Sequence, residues 1–108
     1  MKRTHSCNAL RGADQGKDVT LCGWVRRRRA LGNLIFVDLR DREGITQIVF
    51  DPAAAPEAYE VAKDIRGEYV ICVNGVVRSR GDQINKDLPT GEIEVLASSI
   101  KVFNTAET

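Results

Sequence analysis

The chain has 108 residues, 43% apolar and 29% charged, which is enough for one domain around one core and is not the composition of a disordered tail. Its formal net charge is only +1, so affinity for a polyanion has to come from local patterning rather than overall charge. No apolar run approaches the length of a membrane span and no signal-peptide core is present, which points to a soluble, cytosolic protein.

Residues 1–18 open on a basic end, Lys2 and Arg3, followed by Ser6, which is placed to cap a short helical turn with Leu10 packing inward. Gly12, Asp14 and Gly16 then break that turn. A first strand is expected over about 18–29, with Gly23 marking a bulge or sharp bend. The lone Trp24 beside it reads as a packing residue rather than a binding one. The block Arg26 to Arg29 is either a solvated strand end that discourages edge pairing or a set of phosphate contacts. Its members alternate between faces, so not all can meet one ligand. Arg29, nearest the loop, is the first candidate and Arg27 the second.

The loop Arg29-Ala30-Leu31-Gly32-Asn33 leads into a second run, Leu34 to Arg40. There Ile35, Val37 and Leu39 form an apolar face, while Phe36 shares the other with Leu34, Asp38 and Arg40. Asp41-Arg42-Glu43-Gly44 turns the chain into a third run, Ile45 to Phe50. Gln47 stands between Ile45 and Val49 on one face of it, with Thr46, Ile48 and Phe50 on the other. A hairpin turning at Arg42-Glu43 sets Gln47 opposite Asp38 and makes Phe36 its diagonal neighbour. A largely exposed ring, an amide and a row of guanidinium groups on one small sheet suit unpaired nucleic acid, by stacking, base-edge reading and phosphate contact.

Pro56 then opens a helix of about ten residues whose Ala58, Val61, Ala62 and Ile65 form one apolar stripe, with Gly67 as its stop. That helix is expected to close one end of a barrel. Tyr69 to Arg80 reads as a strand with a bulge at Asn74-Gly75. Residues 81–91 are a polar loop placed to lie over a ligand. A last strand runs from Glu92 through Phe103. The order β-β-β-α-β-β is that of an all-β protein with small α content, a five-stranded Greek-key OB-fold barrel with one helix between strands three and four. Its nucleic-acid face lies on strands two and three and on the loops joining strands one to two and four to five, where the candidate residues fall.

Cys7, Cys22 and Cys72 are far apart with no CxxC, and free thiols in a reducing cytosol are expected. With a single histidine and no cysteine at ligand spacing, no metal site is expected. Nor is there a nucleophile–base pair or a phosphate-cradling glycine loop, so no catalytic residue is assigned.

Cys22-Gly23-Trp24-Val25 with the arginines, Leu34 to Gly44, and Thr90 to Leu96 closely resemble the N-terminal anticodon-binding domain of bacterial-type aspartyl-tRNA synthetases. Thr4-His5 and the closing Asn104 to Thr108 look like the same family, so the resemblance covers essentially the whole chain. It implies that Phe36 stacks on the middle anticodon base, a uracil, and that Gln47 and Arg29 contact that nucleotide. It further implies that Glu94, Arg80, Gln83 and Asn85 help read the flanking bases. Residues 1–104 would be the recognition module and 105–108 the start of a linker to an absent catalytic domain. The longer enzyme, an aspartate–tRNA ligase and a homodimer, would use ATP and magnesium; this piece would need no cofactor. Arg26 stands where the family pattern suggests a small polar residue and Ala30 where it suggests Asp, which bears on loop conformation. Two other readings use the same residues: a free-standing single-strand-binding OB protein, and an OB domain whose Phe36 meets a partner protein.

Overall fold

A computed structural model describes residues 2–104; the expected linker at 105–108 lies outside the described residues. Five strands close into a barrel in the order β1-β2-β3-β5-β4, comprising β1 (Asp18–Leu31), β2 (Leu34–Arg40), β3 (Ile45–Phe50), β4 (Val70–Ser79) and β5 (Ile93–Asn104). The helix α1 (Pro56–Ala62) lies between β3 and β4 in the chain. All pairings are antiparallel except β3 with β5. This is the Greek-key OB arrangement that the element order implied.

The β1–β2 hairpin is tighter than the sequence suggested. β1 continues to Leu31, which pairs with Leu34, leaving Gly32-Asn33 as a two-residue turn with Gly32 at φ +61°. Ala30 pairs with Ile35 inside this ladder, so its departure from the family pattern leaves the hairpin regular. The bulge in β1 lies not at Gly23 but at Arg26, between the pairs Val25–Leu39 and Arg27–Asp38. Gly23 is needed for another reason, because a Cβ there would sit 2.2 Å from the Arg40 carbonyl oxygen. The expected bulge at Asn74-Gly75 is present, with the extra residue, Ser98, contributed by β5.

The barrel interior is the apolar face of each strand. Ile35, Val37 and Leu39 are at most 2% exposed, and Ile48 and Phe50 are fully buried. Leu10 and Cys7 are also fully buried, so the N-terminal segment straps across the barrel rather than trailing from it. Ser6 does not start a helix; its hydroxyl accepts the Asn8 N–H in a single turn, and the short 3-10 helix falls later, at Gly12–Asp14.

The helix is shorter than its apolar stripe, ending at Ala62 after seven residues rather than about ten. Arg28 supplies the reason. It pairs with Val37, so it lies on the core side of β1, and at the barrel end its Nε donates to the Ala62 carbonyl at 3.0 Å and its Nη2 to that of Lys63 at 3.2 Å. A cation on the last carbonyls of a helix both satisfies them and complements the dipole. Ile65 is still buried, but in the return segment, where Glu68 rather than Gly67 takes the left-handed conformation, at φ +71°. Arg28→Ala should therefore lower stability by about 1 kcal/mol, read by urea denaturation. A loss near zero would mean that water caps α1 as well as the guanidinium does.

Two of the three cysteines are not free thiols. Cys22 and Cys72 stand directly opposite each other on β1 and β4 and form a disulfide; Cys7 alone is free, and burial pushes its thiol pKa far up, so it stays protonated. A separation of 50 residues gives no hint of this pairing, which only the strand register creates. The bond lies outside the apolar cluster, so the core does not depend on it. Among the described residues no helix is long and apolar enough to cross a membrane.

Candidate nucleic-acid interface

The bulge at Arg26 decides the site. Val19, Leu21 and Val25 of β1 point into the core, and simple alternation would send Arg27 there too. The extra residue resets the phase, so Arg27 faces Asp38 and Arg29 faces Phe36 on the outer side of the barrel. On the next ladder Phe36 is opposite Val49 and Asp38 is opposite Gln47, the register that a turn at Arg42-Glu43 required.

Above this patch lies the segment between β4 and β5. Its backbone is folded on itself, with Arg80 N–H donating to the Glu92 carbonyl and Asn85 N–H to that of Gly91, both at 3.0 Å. Gly91 has no room for a side chain, since a Cβ would meet the Asn85 carbonyl oxygen. The Thr90 hydroxyl donates to the Ile45 carbonyl and ties the loop to β3. Loop and sheet enclose a cleft of about 400 Å³.

Seven of the eight candidate residues line it: Arg27, Arg29, Phe36, Gln47, Arg80, Gln83 and Asn85. Glu94 does not. It is 8% exposed, and its two oxygens accept from Gln47 Nε2 at 2.9 Å and Arg78 Nε at 2.8 Å. Gln47 is itself only 5% exposed, and its Oε1 accepts from Arg29 Nη2 at 3.2 Å. A polar chain Arg29–Gln47–Glu94–Arg78 thus links four strands, β1, β3, β5 and β4, beneath the cleft. It fixes the amide orientation and leaves each end of Gln47 one further hydrogen-bonding position. The Arg29 guanidinium carbon also lies 5.3 Å from the centroid of the half-buried Phe36 ring. Arg80 is partly withdrawn from water. That burial lowers its pKa, Glu94 and Asp38 oppose the change, and the group remains a cation.

Leu31, Asp38 and Leu88 complete the wall beside these seven. Asp38 was legible in principle, since it shares the face of Phe36 two residues away. Leu88 was not, because an isolated leucine between Asp87 and Pro89 carries no periodic signal.

Residues 19–103 match the family described as the OB-fold nucleic acid binding domain. This chain belongs to that family. The OB domain is 58% identical, over its whole length, to an aspartate–tRNA(Asp/Asn) ligase of Desulfosudis oleivorans, of which it spans 18%. It is 56% identical over 98% of its length to the ligase of the same name from Salinibacter ruber, spanning 17% of it. In three dimensions it superposes on the asparaginyl-tRNA synthetase of Pyrococcus horikoshii with a TM-score of 0.83 at 29% identity, covering 99% of this chain and 24% of the other. The OB domain is therefore under a fifth of the length of the curated relatives it matches.

Proposed function

We propose that this OB domain is the anticodon-recognition module of an aspartate–tRNA ligase and binds the anticodon loop of that tRNA. The observation that carries the reading is the cleft: a ring, a fixed amide and three arginines on one face, in a chain similar from end to end to ligases acting on tRNA. An unstacked base enters the cleft and stacks on Phe36. Gln47, held by Arg29 and Glu94, offers its remaining donor and acceptor to the base edge. Arg27 and Arg29 take the flanking phosphates, and Arg80, Gln83 and Asn85 meet the neighbouring nucleotides from the loop side. Glu94 acts through Gln47 rather than on the RNA.

Activation of aspartate with ATP and magnesium belongs to the longer homodimeric, cytoplasmic enzyme that this reading implies. The cleft does not fit that chemistry, since Asp38 is its one carboxylate and magnesium–phosphate sites need several oxygen ligands. The chain binds RNA and leaves catalysis to the rest of the enzyme.

The test is a titration with the aspartate tRNA and with the same tRNA altered only at the middle anticodon base. We expect at least tenfold weaker binding of the altered tRNA, about 1.4 kcal/mol. Equal binding would favour a sequence-indifferent single-strand binder, and no binding would favour a protein-interaction domain.

A further inference from the structure

The outer face of the barrel does not stop at the cleft. Beyond Phe36 and Asp38 it continues along β2 to Arg40, and across the ladder Arg40 stands opposite Trp24, which is opposite Val70 of β4 in turn. Trp24 is half-buried but belongs neither to the core cluster nor to the side chains packed against it, so part of its ring is left on the outer face.

The charges there are also unspent. Arg28, Arg29, Arg78 and Arg80 are engaged with protein acceptors. Arg26, Arg27 and Arg40 are exposed, and among the described residues none of the three makes an ion pair or a side-chain hydrogen bond. Asp38 lies opposite Arg27, whereas Arg40, opposite Trp24, and Arg26, the bulge residue close by in β1, have no carboxylate paired with them among the described residues. Like charges gathered on one ribbon oppose folding unless an anion offsets them. From Phe36 to Arg40 is four residues, about 13 Å along the strand. OB folds engage about four or more nucleotides, more than one cleft of this size encloses.

We propose that the bound strand leaves the cleft along the β1–β2 ribbon and makes a second contact at Trp24 and Arg40. Arg40 holds a backbone phosphate, and the exposed part of the Trp24 ring lies against the adjoining sugar or base. This contact rests on the RNA-binding reading above and extends its footprint to a part of the face outside the cleft.

Trp24 is the only tryptophan in the chain, so its emission reports this spot alone. The probe is a stem-loop RNA carrying the aspartate anticodon. Trp24 emission should change saturably, with the midpoint of binding measured independently by anisotropy. Arg40→Gln should weaken binding about fivefold at low salt and lower the log–log salt slope by about one. Arg40→Lys should keep the slope, because a point charge still neutralises a phosphate. Lys63→Gln, which removes the same charge from the end of α1, should leave the slope unchanged. A complex that forms and depends on Phe36 while either the emission or the Arg40→Gln slope stays unmoved overturns the second contact and leaves the cleft reading standing. No binding of the stem-loop at all overturns both.

Discussion

Asp41→Ala should lower the stability of the barrel by about 3 kcal/mol, the largest loss we expect from any single polar side chain here. Asp41 opens the β2–β3 turn and is nearly buried. One oxygen accepts the N–H groups of Glu43 at 2.8 Å and Gly44 at 3.1 Å, which shapes the turn. The other accepts the Cys7 N–H at 2.8 Å, with Arg3 3.5 Å away, which pins the N-terminal strap to that turn. Removing the carboxylate leaves these donors without it and loosens a segment whose Cys7 and Leu10 are core residues. Burial acts to raise the Asp41 pKa, but the three backbone donors outweigh it and hold the group below its ordinary 3.8. A carboxylate whose folded pKa is depressed adds stability that is complete above the unfolded value and lost as pH falls through the folded one. The wild type should therefore lose its advantage over Asp41→Asn below about pH 4 and hold it above about pH 5. Urea denaturation across that range reads both effects. A loss under about 1 kcal/mol for Asp41→Ala would show that water serves these N–H groups equally well, and an advantage over Asp41→Asn that does not decline as pH falls below about 4 would show that it does not come from the ionised carboxylate.

The same residue marks what the sequence made legible. Asp41-Arg42-Glu43-Gly44 could be read as a turn and as a family signature, but the partner at Cys7 is 34 residues away in the chain and only the fold reveals it. The apolar alternation of Ile35, Val37 and Leu39 was enough for the barrel, since a period of two has one interpretation when one face is wholly apolar. The phase of the arginine block was not legible, because a bulge leaves no mark in a run of identical residues. Arg27 and Arg29 were chosen for nearness to the loop, and the bulge at Arg26 is what puts them there. The Cys22–Cys72 bond and the early end of α1 were missed for a shared reason, since both depend on side chains from β1 meeting distant elements. Glu94 came from the resemblance alone, and its burial beneath Gln47 has no counterpart in local pattern.

Phe36→Ala should weaken binding of the anticodon loop by about 1–3 kcal/mol whatever the middle base, because stacking uses the face that all bases share. The ring is half-buried on the outer side of the barrel and outside the apolar cluster, so the variant should melt close to the wild type. A core ring would instead cost several kcal/mol of stability on truncation. Gln47→Ala should act differently on each count. The amide bridges Arg29 and Glu94 at 5% exposure, so its loss leaves Glu94 Oε1 short of a partner and lowers stability by about 1 kcal/mol. Its effect on the cognate RNA should be smaller than that of Phe36→Ala. The gap between uracil and other middle bases should narrow, since a fixed polar group left unmatched is what rejects the wrong base. Retention of Arg29 over the ring in the Gln47 variant would keep stacking intact and make the separation of roles visible. Binding curves with all four middle bases, run beside thermal melts, decide both assignments. A Phe36→Ala protein that melts far below the wild type, or a Gln47→Ala protein that prefers uracil as strongly as before, would remove that residue from the reading head.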